Sequence, residues 1–125
     1  MDNFLKGKSI LVVEDEEINW FLIRDTLDLY QVLTTWAELG KKAIDMVKKG
    51  ENFDAILMDI NLPYMDGYEV SRQIKALRPD IPIIAQTAFA LEEEIENCYE
   101  AGCTAHVLKP FTANELIDVL KKVIL

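Results

Sequence analysis

A doubly wound α/β fold with a five-stranded parallel sheet is what this chain predicts, and three observations predict it. Short apolar runs alternate with longer stretches of helical composition along all 125 residues, the pattern of successive βαβ units. Four of the five short runs are continuously apolar and rich in β-branched residues, as expected of strands covered on both faces. No linker, low-complexity tract or repeated motif divides the chain. Its length is that of one domain with one core, so 1–125 reads as a single unit with helices on both sides of the sheet.

The elements follow in order. Ser9–Val13 is the first strand and 17–30 the first helix. The run 31–35 is more polar and carries Thr34 and Thr35, which fits an edge strand. A second helix over 38–49 stops at Gly50, where a glycine takes the left-handed turn that ends many helices. The third strand is 55–58. Asp66 before Gly67 caps a helix over 66–77. A fourth strand over 82–85 leads to a helix over 91–101, and the fifth strand is 105–108. Thr112-Ala113-Asn114-Glu115 has the spacing of a capping box and opens the last helix, 112–124.

Composition removes several function classes. Lys and Arg total 13 against 22 Asp and Glu, a net charge of −9, so the surface repels nucleic-acid backbones and direct nucleic-acid binding is disfavoured. The apolar run Ile10–Val13 is far below the ~20 residues of a membrane span and too short for a secretory signal. Cys98 and Cys103 with the single histidine, His106, supply at most three of the roughly four ligands of a closed zinc site. They read as reduced thiols of a cytoplasmic domain.

In a doubly wound sheet, ligands bind beyond the carboxyl ends of the strands. The first strand runs into Glu14-Asp15-Glu16-Glu17, the third into Asp59-Ile60-Asn61, the fourth into Gln86-Thr87-Ala88 and the fifth into Lys109-Pro110. Neighbouring strands lie about 4.8 Å apart, so adjacent ends bring Asp15 and Asp59 within several ångströms. Carboxylates held that close raise each other's pKa unless a cation intervenes. An all-oxygen set with room for water and phosphate oxygens suits Mg²⁺, while the lack of thiols and imidazoles there argues against zinc or copper. Glu16 and Glu17 read as a solvated first helical turn.

Val12-Val13-Glu14-Asp15, the stretch from Asp54 through Asp59 and Pro63 to Asp66-Gly67, Thr87-Ala88 and Lys109-Pro110-Phe111 resemble, in order and spacing, the receiver domain of two-component response regulators. The resemblance implies strand order 2-1-3-4-5 in a flavodoxin-like three-layer sandwich. It implies that Asp59 accepts a phosphoryl group from a phosphohistidine on a histidine kinase or histidine phosphotransfer domain. Mg²⁺ would be held by Asp15, Asp59 and the Asn61 carbonyl, with Glu14 acting through bound water. Lys109, Thr87 and the Ala88 and Asn61 amides would receive the phosphoryl oxygens, and Lys109-Pro110 is a candidate cis peptide. Phosphorylation would shift an inactive–active equilibrium read out on the fourth helix, fifth strand and fifth helix, where a downstream partner or a second copy docks. Glu14-Asp15, Asn19 and the Thr87–Ala90 segment look most like receivers of hybrid sensor histidine kinases, hence a cytoplasmic part of a membrane-anchored parent. The alternatives are a stand-alone regulator and an unphosphorylated interaction module.

Departures from the family pattern point to further residues. His106 stands where the family usually has Tyr or Phe, three before the lysine. An imidazole, with a reference pKa of ~6.5, would couple a switch there to protonation. Asn61 and Phe89 occupy positions that tune phosphoaspartate lifetime in the family. Asn61 also argues against a phosphohydrolase, which needs a carboxylate two residues after its nucleophile. Glu14–Glu17 argue against a flavin carrier, whose phosphate they would repel. Four consecutive apolar residues, Trp20 to Ile23, sweep too much of the first helix for all to face the core. With Ile23, Leu27 and Tyr30 inward, Phe21 and Ile18 point outward as candidate docking residues for a helical partner.

Overall fold

The computed structural model describes residues 4–88 and 91–124. The strands are β1 (Ser9–Val13), β2 (Leu33–Ala37), β3 (Ala55–Asp59), β4 (Ile83–Thr87) and β5 (Ala105–Leu108). They alternate with helices α1 (Glu17–Asp28), α2 (Gly40–Lys48), α3 (Gly67–Leu77), α4 (Glu92–Glu100) and α5 (Ala113–Val123). All neighbouring strands are parallel, in the order β2-β1-β3-β4-β5. The strand order therefore reverses between β1 and β3, and the strand ends that carry the acids flank that reversal.

Alternation along each strand divides the core into two layers. Leu11, Val13, Ile56, Met58, Ile83 and Ala85 pack towards α2 and α3 together with Val70 and Ile74. Ile10, Val12, Leu57 and Ile84 pack on the opposite face, against Ile23, Leu27, Leu116 and Leu120 of α1 and α5. Both faces of β1, β3 and β4 are buried, which is why their sequences are continuously apolar. Cys98 and Cys103 are buried and unbonded to each other. Burial pushes both thiols up, Cys103 to about 11, so neither forms a ready thiolate.

The helix punctuation holds at atomic detail. The Asp66 carboxylate accepts from the Glu69 amide at 2.9 Å. Thr112 and Glu115 form a reciprocal capping box. The structure moves β2 two residues beyond the predicted 31–35, and the cause is at Gln31. Its φ of 58° places it in the left-handed region. Gln31 N donates to Asp28 O and Val32 N to Leu27 O, the paired bonds of a Schellman stop. The same bond pair ends α2 at Gly50 and α4 at Gly102, where the glycines announce it. A glutamine in that role carries no such signal. β4 also runs two residues past the predicted end, because Gln86 and Thr87 are buried and paired between Asp59 and Leu108 on the neighbouring strands.

Candidate functional site

The carboxyl ends of β1, β3, β4 and β5 converge on one acidic cluster. One carboxylate oxygen from each of Glu14, Asp15 and Asp59 lies within 4.8 Å of the others. Glu14 is fully buried and Asp59 is 2% exposed, whereas Asp15 faces solvent. Two buried acids side by side are costly, and the protein offsets them with Lys109. Its ammonium lies 3.0 Å from Asp59 Oδ2 and 3.3 Å from Glu14 Oε1. The Asn61 amide donates to Asp59 Oδ1 at 3.0 Å, and the Glu16 amide to Glu14 Oε2 at 3.3 Å.

The electrostatics follow from burial. Desolvation, a hydrogen bond with Asp59 and the Asp59 charge push Glu14 up to about 7, against the pull of Lys109. Burial draws the Lys109 ammonium down, but Asp59 and Glu14 together outweigh it and leave its pKa raised. A carboxyl held near neutral pH beside a second acid is a site with excess negative potential. Its donors are all oxygens, two of them largely shielded from water and one open to it, which fits Mg²⁺ and leaves no ligand set for a softer metal.

Backbone shape holds Asp59 in place. Its strand ends at the close crossing of the β3–α3 loop over Gly67, where the Gly67 amide donates to Ile60 O at 2.9 Å. A Cβ on Gly67 would lie 2.3 Å from the Asp59 carbonyl oxygen and 2.6 Å from Ile60 Cα, so only glycine permits the approach. On the other side, Ile60 N donates to Gln86 O and Lys109 N to Thr87 O, tying the loops after β3 and β5 to β4. The peptide bond Lys109-Pro110 is cis, as the motif implied. Thr87 is buried at the end of β4 and Ala88 is exposed beside it.

The remaining sequence candidates divide. His106 is half-buried on β5, with its Nδ1 2.9 Å from the Tyr99 hydroxyl and the two rings edge to face. Its ring faces Tyr99 of α4 and lies outside the acidic cluster. Phe89 lies outside the described residues. On α1, Ile23 and Leu27 are buried, as the helix phase required, and Tyr30, just past the helix end, is half-buried. Ile18 is 74% exposed, and the more exposed apolar neighbour is Leu22, at 62%, one turn on. Phe21 is partly covered by the Arg24 guanidinium, 4.8 Å from its ring centroid. Leu22 also lines a groove of about 460 Å³ with Asn19, Lys109, Pro110 and Phe111, so the apolar face of α1 runs into the site.

Two residues escaped the sequence reading. Trp36, at the end of β2, donates from its indole Nε1 to the Glu14 carbonyl at 2.7 Å and stacks on Trp20. Gln86 is 1% exposed, and among the described residues neither atom of its amide has a hydrogen-bond partner.

The model of the response regulator receiver domain family matches residues 10–121. The chain is 38% identical to the polar-differentiation response regulator DivK of Brucella ovis, over 91% of this chain and 94% of that protein. It is 32% identical to Probable histidine kinase 4 of Oryza sativa subsp. japonica over 94% of this chain, which spans only 14% of that protein. Among solved structures, the receiver domain of sensor histidine kinase PA1611 from Pseudomonas aeruginosa PAO1 superposes with a TM-score of 0.86 at 38% identity, covering 94% of this chain and 98% of that one. That crystal holds a magnesium ion in its active-site cleft. Sequence, strand order and an acidic cluster at the strand reversal agree: the chain belongs to the response regulator receiver domain family of two-component signalling.

Proposed function

We propose that Asp59 is the phosphoacceptor of this receiver and that Glu14, Asp15, Asp59 and the Asn61 carbonyl form its magnesium site. The observation that carries the reading is the pairing of a nearly buried Asp59 with Lys109, beside two further carboxylates and at the end of β3. An Asp59 oxygen attacks the phosphorus of a phosphohistidine, an O–P bond forms, the N–P bond breaks, and the imidazole nitrogen leaves with its electron pair. Mg²⁺, when bound, supplies charge neutralisation for the phosphoryl oxygens. Lys109, already paired to Asp59, keeps a cation against the phosphoryl group, and Thr87 and the Ala88 amide supply donors from the end of β4. Relief of the Glu14–Asp59 repulsion makes the metal-bound, phosphorylated state the electrostatically matched one.

The phosphohistidine partner is a histidine kinase or histidine phosphotransfer domain docking on the Ile18, Phe21 and Leu22 side of α1. The phosphorylated form signals through α4, β5 and α5, with Thr87 and His106 linking site to surface. The PA1611 likeness supports a sensor histidine kinase of the hybrid kind as parent; on that reading the domain spans 1–125 and works in the cytoplasm. The DivK likeness over nearly its full length supports a stand-alone regulator as the second reading. The coding sequence on either side separates the two. Among the described residues no helix is long and apolar enough to cross a membrane.

The test is incubation with acetyl phosphate and Mg²⁺ followed by intact-mass measurement. The wild-type chain gains one phosphoryl group, and the gain disappears on chelation and in Asp59→Asn. An Asp59→Asn chain that still gains it overturns the assignment.

A further inference from the structure

We propose that Trp36 is a positioning residue for the magnesium site, setting the Glu14-Asp15 turn through its indole N–H and its stack on Trp20. The inference rests on the metal reading above.

The β1–β2 ladder continues one rung past the strands, with Glu14 N donating to Ala37 O at 3.1 Å. In a parallel pair the Glu14 carbonyl would next accept from the backbone two residues beyond Ala37. The Trp36 indole takes that carbonyl instead, at 2.7 Å, the short end of the usual N–H···O range. Glu14 is then held at its amide, its carbonyl and its carboxylate at once, the last by the Glu16 amide and Lys109. Its neighbour Asp15, which is exposed and has no such anchors among the described residues, inherits its direction from that turn.

The indole is itself immobilised. Its ring lies 5.3 Å from that of Trp20, nearly parallel at 9°, and Trp20 is 8% exposed in the layer beneath α1. Trp20 sits in the first turn of α1, so the stack fixes the far end of the same Asp15–Glu17 connection. Groups that orient a metal ligand from outside the coordination sphere change metal affinity by about 10–100-fold when removed. These two tryptophans are the only ones in the chain, so its indole emission reports this site alone.

The experiment measures Mg²⁺ affinity by calorimetry for the wild type, Trp36→Phe and Leu27→Val, with unfolding stability recorded for each. Leu27 lies in the same core layer at the end of α1 opposite to the acids, so its shortening serves as a stability control. Trp36→Phe weakens Mg²⁺ binding about tenfold, and Leu27→Val leaves it unchanged at a comparable loss of stability. Independently, Trp20→Phe leaves Trp36 as sole emitter, and its emission changes on addition of Mg²⁺. Wild-type affinity in Trp36→Phe, equal weakening in Leu27→Val, or Mg²⁺-insensitive emission in Trp20→Phe each overturns the role of Trp36. Should Trp36→Phe not fold, the emission of Trp20→Phe alone decides. A wild-type chain that binds no Mg²⁺ instead overturns the metal reading on which the inference stands.

Discussion

Replacing Glu14 by glutamine should make the metal-free protein more stable at neutral pH while removing much of its pH dependence. Glu14 has an ordinary value of 4.5, and burial with the adjacent Asp59 takes it to about 7 in the fold. The folded chain thus holds a proton at this carboxyl over a range where the unfolded chain has released it. Stability falls as pH rises wherever the folded state binds more protons. The contribution of Glu14 is therefore intact below its unfolded value and lost between about 4.5 and 7. The shift converts to about 3 kcal/mol. Glutamine keeps the shape and hydrogen-bonding capacity and cannot ionise. Urea unfolding of both chains, without metal, at about pH 5 and about pH 7.5 supplies the comparison. The wild type loses stability across that interval relative to Glu14→Gln. A hundredfold excess of Mg²⁺ over its dissociation constant restores about 3 kcal/mol to the wild type. Identical pH slopes in the two chains would refute the electrostatic account of the site.

Three other substitutions probe separate features. Gly67→Ala forces a Cβ to within 2.3 Å of the Asp59 carbonyl oxygen, so it lowers stability by about 1–3 kcal/mol and slows acetyl phosphate labelling, measured by unfolding and intact mass. Gln86→Leu removes a buried amide that lacks partners among the described residues, and raises the unfolding free energy by about 1–3 kcal/mol. A loss of stability there would show that the amide is satisfied in solution. Phe21→Lys and Leu22→Lys, tested separately, slow phosphoryl transfer from a phosphohistidine protein and leave labelling by acetyl phosphate unchanged. Equal loss in both assays removes α1 as the docking face.

The parts of this fold that were legible in the sequence are those whose physics is local or periodic. Continuous apolar runs marked β1, β3 and β4 because both faces of these strands are buried; the run at β5 marked a strand too, but one at the sheet edge with only Val107 buried, not one covered on both faces. Asp66, Gly50 and Thr112 marked helix ends because capping and left-handed turns have strong residue preferences. β2 was displaced because Gln31 adopts a left-handed turn that glycine or asparagine usually fills. The acids and Lys109 were legible because each stands at or just past the carboxyl end of a strand. The role of Trp36 was not, since its hydrogen bond to Glu14 spans 22 positions and depends on the β1–β2 register. An aromatic residue ending a polar edge strand is a weak signal without that register. Leu22 was overlooked for a related reason: helix phase gives the outward direction, but only the fold shows that Arg24 covers Phe21.

The assignment of Asp59 as the acceptor is tested most directly by locating the covalent bond. After acetyl phosphate treatment with Mg²⁺, borohydride reduction converts a phosphorylated aspartate to homoserine, which peptide mass sequencing then places. Homoserine at position 59 is the expected result. Homoserine at position 15, or unreduced aspartate at 59 in a chain that has gained the phosphoryl group, contradicts it.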